Sequence, residues 1–115
     1  MKKYHLYIFT QNECPPCARL RTHVSTLPKA SQLELDFVPL KTLKGEFTQL
    51  ATELGVELTP TLVVVHEDLD CALDTDGDED CTNTESAVEM FIGANAIIEH
   101  LPATIDAYTY ATAVV

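Results

Sequence analysis

Pro15 and Pro16 stand side by side between Cys14 and Cys17, and no other feature of the chain constrains its local structure so tightly. A proline has no N–H to give a helix, and its ring clashes with the preceding turn. Adjacent prolines are therefore tolerated only in a helix's first turn. After them, Cys17, Leu20, Val24 and Leu27 recur at spacings of three and four, which places them on one helical face. Pro28 is expected to end that helix. Before them, Tyr4 to Thr10 (YHLYIFT) is aromatic, β-branched and mostly apolar, as a strand buried on both faces would be. Gln11 to Glu13 supplies the turn between the two.

The remaining elements follow from the same periodicities. Leu33, Leu35 and Phe37 alternate with Glu34 and Asp36 before Val38 and Leu40, which predicts a second strand. Phe47, Leu50, Ala51 and Leu54 fall at i, i+3, i+4 and i+7, with Gly55 as a C-terminal cap. Pro60 opens a third strand, TLVVVH, where a first residue need not donate to the ladder. Residues 67 to about 87 hold a run of acids without apolar period and read as a long exposed acidic loop inserted between the last two strands. Val88 to Ile92 resumes strand character and stops at Gly93, and residues 94 to about 110 read as a helix that Pro102 kinks or splits. The order β-α-β-α-β-β-α predicts an α/β fold: a mixed four-stranded sheet with helices on both faces, in one domain spanning residues 1–115.

Charge narrows the function. All seven basic residues lie in the first 44 positions beside three acids, and the rest of the chain holds fifteen acids and no Lys or Arg, for a net charge of −11. Such a chain repels phosphate, so nucleic acid and anionic membrane surfaces are not expected partners. A 46% hydrophobic content is too high for a disordered chain, yet the longest apolar run, Leu62 to Val65, is far too short to span a bilayer. The opening MKKYHLYIFTQ lacks the apolar stretch and cleavage site of a secretory signal, so a cytoplasmic location is expected.

Two cysteines three apart at a helix start have a definite chemistry. The spacing puts both sulfurs on one side of the first turn, close enough to bond. Unpartnered N–H groups and the helix dipole there favour thiolate over thiol, and thiolate is the nucleophile of disulfide exchange. Cys14, at the exposed end, is placed to attack a disulfide. Cys17, one turn in and on the apolar face, is placed to resolve the mixed disulfide. Pro15 and Pro16 stiffen the loop and delete two amides, leaving mainly the Cys17 N–H and S–H to hold a Cys14 thiolate.

The strand YHLYIFT, CPPC opening a helix, Thr59-Pro60 before TLVVV, Val88 to Gly93 and a closing helix together resemble the thioredoxin superfamily over residues 4 to about 101. The resemblance implies a thioredoxin-like fold and a thiol–disulfide oxidoreductase, a protein disulfide reductase needing no metal or other cofactor. It implies that Pro60 follows a cis peptide bond facing the CxxC, and that Thr59 offers backbone hydrogen bonds to an extended substrate. It also implies disulfide-containing target proteins as substrates, recharging by a thioredoxin-reductase-type flavoprotein or by glutathione, and action as a monomer. Within the superfamily the chain resembles a divergent small thioredoxin or glutaredoxin-like protein, of a kind also found among phage-encoded and ribonucleotide-reductase-linked redoxins; a phage-encoded chain would act in the host cytoplasm. Glu13 stands where thioredoxins usually carry tryptophan, His5 to Phe9 holds no acid, and Gly93-Ala94 stands where glutaredoxins carry paired glycines and an acid. The alternatives are a glutaredoxin-like electron donor, for example to ribonucleotide reductase, and a thioredoxin-fold binding module acting through its acidic loop.

Other groups are weaker candidates. Cys14 and Cys17 have no second CxxC or paired histidines to complete a zinc site. Cys71 and Cys81 can close a second disulfide across the acidic loop. Asp74, Asp76, Gly77, Asp78 and Asp80 alternate as calcium loops do, but Ala72 and Asn83 break the EF-hand register, so a solvated loop is expected. His5, His23, His66 and His100 have no pairing spacing and read as partly exposed structural residues. Arg19 and Arg21, just after the CxxC, are candidates to hold the thiolate or orient a partner.

Overall fold

Alternate residues of β1 (Tyr4–Thr10) face opposite layers: Leu6 and Ile8 turn to one side, Phe9 to the other, and all three are buried. The computed structural model describes residues 4–73, 77 and 79–110; the side chains at 68–73, 79–84, 109 and 110 lie outside the described residues. β1 pairs in parallel with β2 (Leu35–Pro39) and antiparallel with β3 (Thr61–Leu73), which pairs antiparallel with β4 (Glu79–Ile92). The sheet is four-stranded and mixed, in the order β2-β1-β3-β4.

Leu62, Val63, Val64 and Val65 of β3 are wholly buried, so both faces of the sheet need a cover. On one face α1 (Pro15–Val24) and α4 (Ala94–Ile105) bring Leu20, Val24, Ile97 and Leu101 against Leu6, Ile8, Leu62 and Val64. On the other, α3 (Gln49–Leu54) brings Ala51, with Leu50 and Leu54 half-buried, against Phe9, Val63 and Val65. The expected mixed sheet with helices on both faces is therefore present. The Thr48 hydroxyl accepts from the Ala51 N–H at 3.3 Å and starts α3, so Phe47 stays outside it, while Gly55, at φ +72°, closes it as the sequence indicates.

Several boundaries differ from the sequence reading. α1 stops at Val24, before Pro28. The hydroxyls of Ser25 and Thr26 donate to the carbonyls of Thr22 and His23 at 2.6 Å, competing with further helical hydrogen bonds. Pro28 instead begins a short helix, α2 (Lys29–Leu33), so Leu33 leaves the second strand and is exposed. α4 runs through Pro102 without splitting. Pro102 lies on the exposed side, and buried Leu101 and Ile105 anchor the helix on either side of the lost hydrogen bond. A π-helical turn, Asp106–Tyr110, follows.

The acidic loop expected over about 67–87 is corrected: strand continues to Leu73 and restarts at Glu79, so the segment is a long antiparallel hairpin. Beyond the last described pair of β1, Tyr4 with His66, β3 and β4 continue against each other. A bulge at Val88 skips one residue of β4 between the pairs Val64–Glu89 and Val65–Ala87. Cross-strand pairing runs the length of the hairpin, from Thr61–Ile92 to Leu73–Glu79.

Tyr108 ties the chain end to the sheet. Its ring meets that of Tyr4 at 4.9 Å, and its hydroxyl proton is held by a hydrogen bond to the Glu89 carboxylate. That bond, with lesser help from burial and from the Glu89 charge, pushes the phenol from 10.0 up to about 12. A raised folded-state value stabilises the fold fully below pH 10 and stops doing so as pH climbs toward 12. In an alkaline titration of phenolate absorbance, the native chain is expected to show one tyrosine ionising near pH 12. Tyr108→Phe should remove that component and Glu89→Gln should move it down; a titration unchanged by either would refute the contact.

Candidate active site

The polypeptide leaves β1 at Thr10 and turns through Gln11 to Glu13 into α1. Glu13 makes the turn at φ +56°, the left-handed region that a non-glycine residue enters only at a cost of about 1 kcal/mol or more. Cys14 is the N-cap of α1, and Pro15 and Pro16 fill its first two positions, as the sequence requires. Cys14 is half-buried and Cys17 is buried with 3% of its surface exposed. The two form a disulfide with their Cα atoms 5.2 Å apart.

Three groups converge on Cys14 Sγ. The Cys17 N–H, the first amide after the two prolines, donates to it at 3.2 Å. The Thr59 hydroxyl reaches it at 3.5 Å, and Gln11 Nε2 in turn donates to the Thr59 Oγ1 at 2.9 Å. The third is the positive end of the α1 dipole. Hydrogen bonds to a charged sulfur favour thiolate over thiol, each by roughly 1.5–3 kcal/mol where solvent is excluded and less at this partly open site. The sequence reading placed Thr59 here for its backbone alone and missed Gln11. The signal was available only once the strand order was known, because the two residues lie 48 positions apart.

The Thr59–Pro60 peptide is cis, as the resemblance implies, and Pro60 is buried. The Pro60 carbonyl accepts from the Gly93 N–H at 2.9 Å, which brings the end of β4 to the same place. Ile92, just before Gly93, leaves 54% of its side chain open beside this junction. A cleft of about 540 Å³ opens over the dithiol, lined by Gln11, Glu13, Cys14, Pro15, Cys17 and Arg21, among others.

The two arginines do not reach the sulfurs. Arg19 Nη2 donates to Asn95 Oδ1 at 2.9 Å, joining α1 to the start of α4. Arg21 Nη2 donates to Thr10 Oγ1 at 3.3 Å, and its guanidinium lies over the Phe37 ring, 4.4 Å from the centroid. The backbone register sets Cys71 directly opposite Cys81, but their side chains lie outside the described residues, as do those of Asp74, Asp76, Asp78 and Asp80. His5, read as a partly exposed structural residue, is half-buried; its Nε2 lies 2.6 Å from Glu67 Oε2, and one ligand-type atom each of His5, Glu67 and Glu85 gather within 4.8 Å. Glu67 and Glu85 face each other across β3 and β4, a like-charge pair with the His5 ring beside it. The strand pairing that creates this contact has no trace in sequence spacing.

A family profile described as thioredoxin-like domain matches residues 1–70 of the chain. Among solved structures, the chain is similar to a thioredoxin of Fasciola hepatica, with 24% identity, 93% of this chain and 83% of that chain covered, and a TM-score of 0.55. It is similar also to a thioredoxin of Malassezia sympodialis, with 18% identity, 93% and 78% coverage and a TM-score of 0.57. A third is the germline-specific thioredoxin Deadhead of Drosophila melanogaster, with 16% identity, 92% and 81% coverage and a TM-score of 0.58. At these identities the likeness is one of fold. No curated protein matches the sequence.

The Gln11–Thr59–Cys14 relay has a measurable consequence. Thr59→Val keeps the side chain's shape and removes the hydroxyl donor. In the reduced protein, the pH midpoint of Cys14 alkylation by iodoacetamide should rise by about one unit. Gln11→Ala should raise it less, and a midpoint that stays put in Thr59→Val would exclude the hydroxyl from the site's electrostatics.

Proposed function

The chain belongs to the thioredoxin-like domain family, and we propose that it is a protein disulfide reductase working through the Cys14–Cys17 couple. One observation carries this reading: a bonded cysteine pair at a helix N-terminus whose outer sulfur is reachable, hydrogen-bonded by two donors and set beside a cis Thr59–Pro60.

The chemistry balances without a metal or cofactor. In the dithiol form the Cys14 thiolate attacks one sulfur of a target disulfide; that S–S bond breaks and the departing thiolate takes a proton. Cys17 then attacks Cys14 Sγ, its proton passing to the second departing thiolate. The target gains two electrons and two protons, and the chain is left with the disulfide seen here. Among the described residues, the buried polar side chains are Thr10, Thr61 and Thr104, none of them an acid. The Cys17 proton therefore leaves without a buried carboxylate to take it, consistent with the lack of an acid between His5 and Phe9.

An extended target segment would lie along Thr59, whose backbone precedes the buried Pro60, with the open face of Ile92 as an apolar contact. The electrons would return from a thioredoxin-reductase-type flavoprotein or from glutathione, in a cytoplasmic setting and with the chain acting as a monomer.

Insulin disulfide reduction with dithiothreitol as electron source tests the proposal. The wild-type chain should accelerate it and Cys14→Ser should abolish the acceleration. Cys17→Ser should still attack but accumulate a mixed disulfide, visible by mass as the chain plus one insulin chain. Full activity in Cys14→Ser would refute the reading and return the chain to the binding modules.

A further inference from the structure

A second cleft, of about 550 Å³, adjoins the dithiol on the β2 side of the sheet, and the proposed reaction leaves it unused. Gln11, Asn12 and Arg21 line both this cleft and the one over Cys14, so the two adjoin. Lys41, Thr42 and Phe37 are among its other lining residues. In a chain with eighteen acids and seven Lys or Arg, no described acid lines it, and two of the seven do. The one acid lining the neighbouring cleft is Glu13.

Both cations are set in place. The Arg21 guanidinium is held by Thr10 Oγ1 and the Phe37 ring, which fixes its plane and leaves other N–H groups free to fork onto a carboxylate. The Lys41 ammonium lies 5.3 Å over the Phe47 ring. Among the described residues neither reaches a carboxylate of this chain. A concave surface with two oriented cations and no anion is made for a negative group. Its place beside the cleft over Cys14 gives that group a seat while a sulfur bonded to the same molecule meets the thiolate.

We propose that this cleft binds the carboxylate of small disulfide substrates, so that the dithiol favours anionic disulfides over neutral and cationic ones. The assignment rests on the oxidoreductase reading and adds a substrate class to it. The reaction is unchanged: the small disulfide takes two electrons and two protons and leaves as two thiols, while Cys14 and Cys17 are oxidised to the disulfide.

The net charge of −11 makes the test sharp, because long-range steering alone would favour a cation. The pre-reduced full chain is mixed in a single turnover with dithiodipropionate, a dianion, with hydroxyethyl disulfide, which is neutral, or with cystamine, a dication. Formation of the Cys14–Cys17 disulfide is followed by acid quench, alkylation and mass. Each rate is divided by that of mercaptoethanol with the same disulfide, which removes the substrates' intrinsic reactivities. Dithiodipropionate should lead and cystamine trail. Lys41→Gln and Arg21→Gln should each lower the dianion-to-neutral ratio by about three- to tenfold. Lys29→Gln, which removes the same charge from α2, should leave it unchanged. Cystamine leading, or Lys29→Gln acting as strongly as Lys41→Gln, would overturn the assignment alone. Failure of all three disulfides to oxidise the folded chain would overturn the oxidoreductase reading and this assignment with it.

Discussion

Burial of β1 and β3 on both faces is the constraint from which the rest of the molecule follows. Leu62 to Val65 have no exposed face, so neither layer of helices can be omitted without leaving apolar surface in water. The strand directions then fix the site. α1 starts where β1 ends; β3 runs antiparallel to β1 and so begins at that same end, and β4, antiparallel to β3, finishes there. Three distant parts of the chain meet as a result: Cys14 after β1, Thr59-Pro60 before β3 and Gly93 after β4. The hydrogen bonds from Thr59 to Cys14 and from Gly93 to Pro60 are the local expression of that topology.

What could be read from sequence is what burial and proline dictate. The apolar runs of β1 and β3 and the stripe Leu20–Val24 mark elements whose side chains must leave water. Pro15 and Pro16 permit one helical position only. Thr59-Pro60 was legible through the resemblance, which sets it facing the CxxC, while Gly93 was read only as the end of the last strand. The unread parts leave no hydrophobic signature. α2 buries none of its residues, so it carries no 3.6-residue period. The hairpin arms past His66 are rich in acids and paired strand to strand, so acids sit where a strand scan finds loop. The cap at Thr48 and the early stop at Val24 are settled by single hydroxyls, and local hydrophobic pattern is blind to those.

The site illustrates the same division. Cys14, Cys17, Pro15 and Pro16 are neighbours in sequence, and their chemistry follows from that spacing. Gln11 and the Thr59 hydroxyl act on the sulfur through contacts across 48 and 45 positions, so they emerge only when the strands are in register. Two prolines remove amides from the first turn beside Cys14, and the Thr59 hydroxyl supplies a donor from another part of the chain. The loop's rigidity and its hydrogen bonding are thus supplied by different parts of the chain.

Charge is sorted by the same topology. The basic residues fall in the first 44 positions, which build β1, α1, α2, β2 and the start of the loop beyond it; the acids concentrate in the hairpin that β3 and β4 build. Since β2 and β4 are opposite edges of the sheet, a division along the sequence becomes a division across the molecule. Cys14 sits between the two. On the β3–β4 side lie Thr59, whose hydroxyl reaches its sulfur, and the exposed Ile92 at the end of β4. On the β2 side lies the neighbouring cleft lined by Arg21 and Lys41. Each disulfide brings its own reactivity, set by its leaving thiol; any choice beyond that has to come from the surfaces flanking the dithiol, and the sheet order gives those flanks opposite charge.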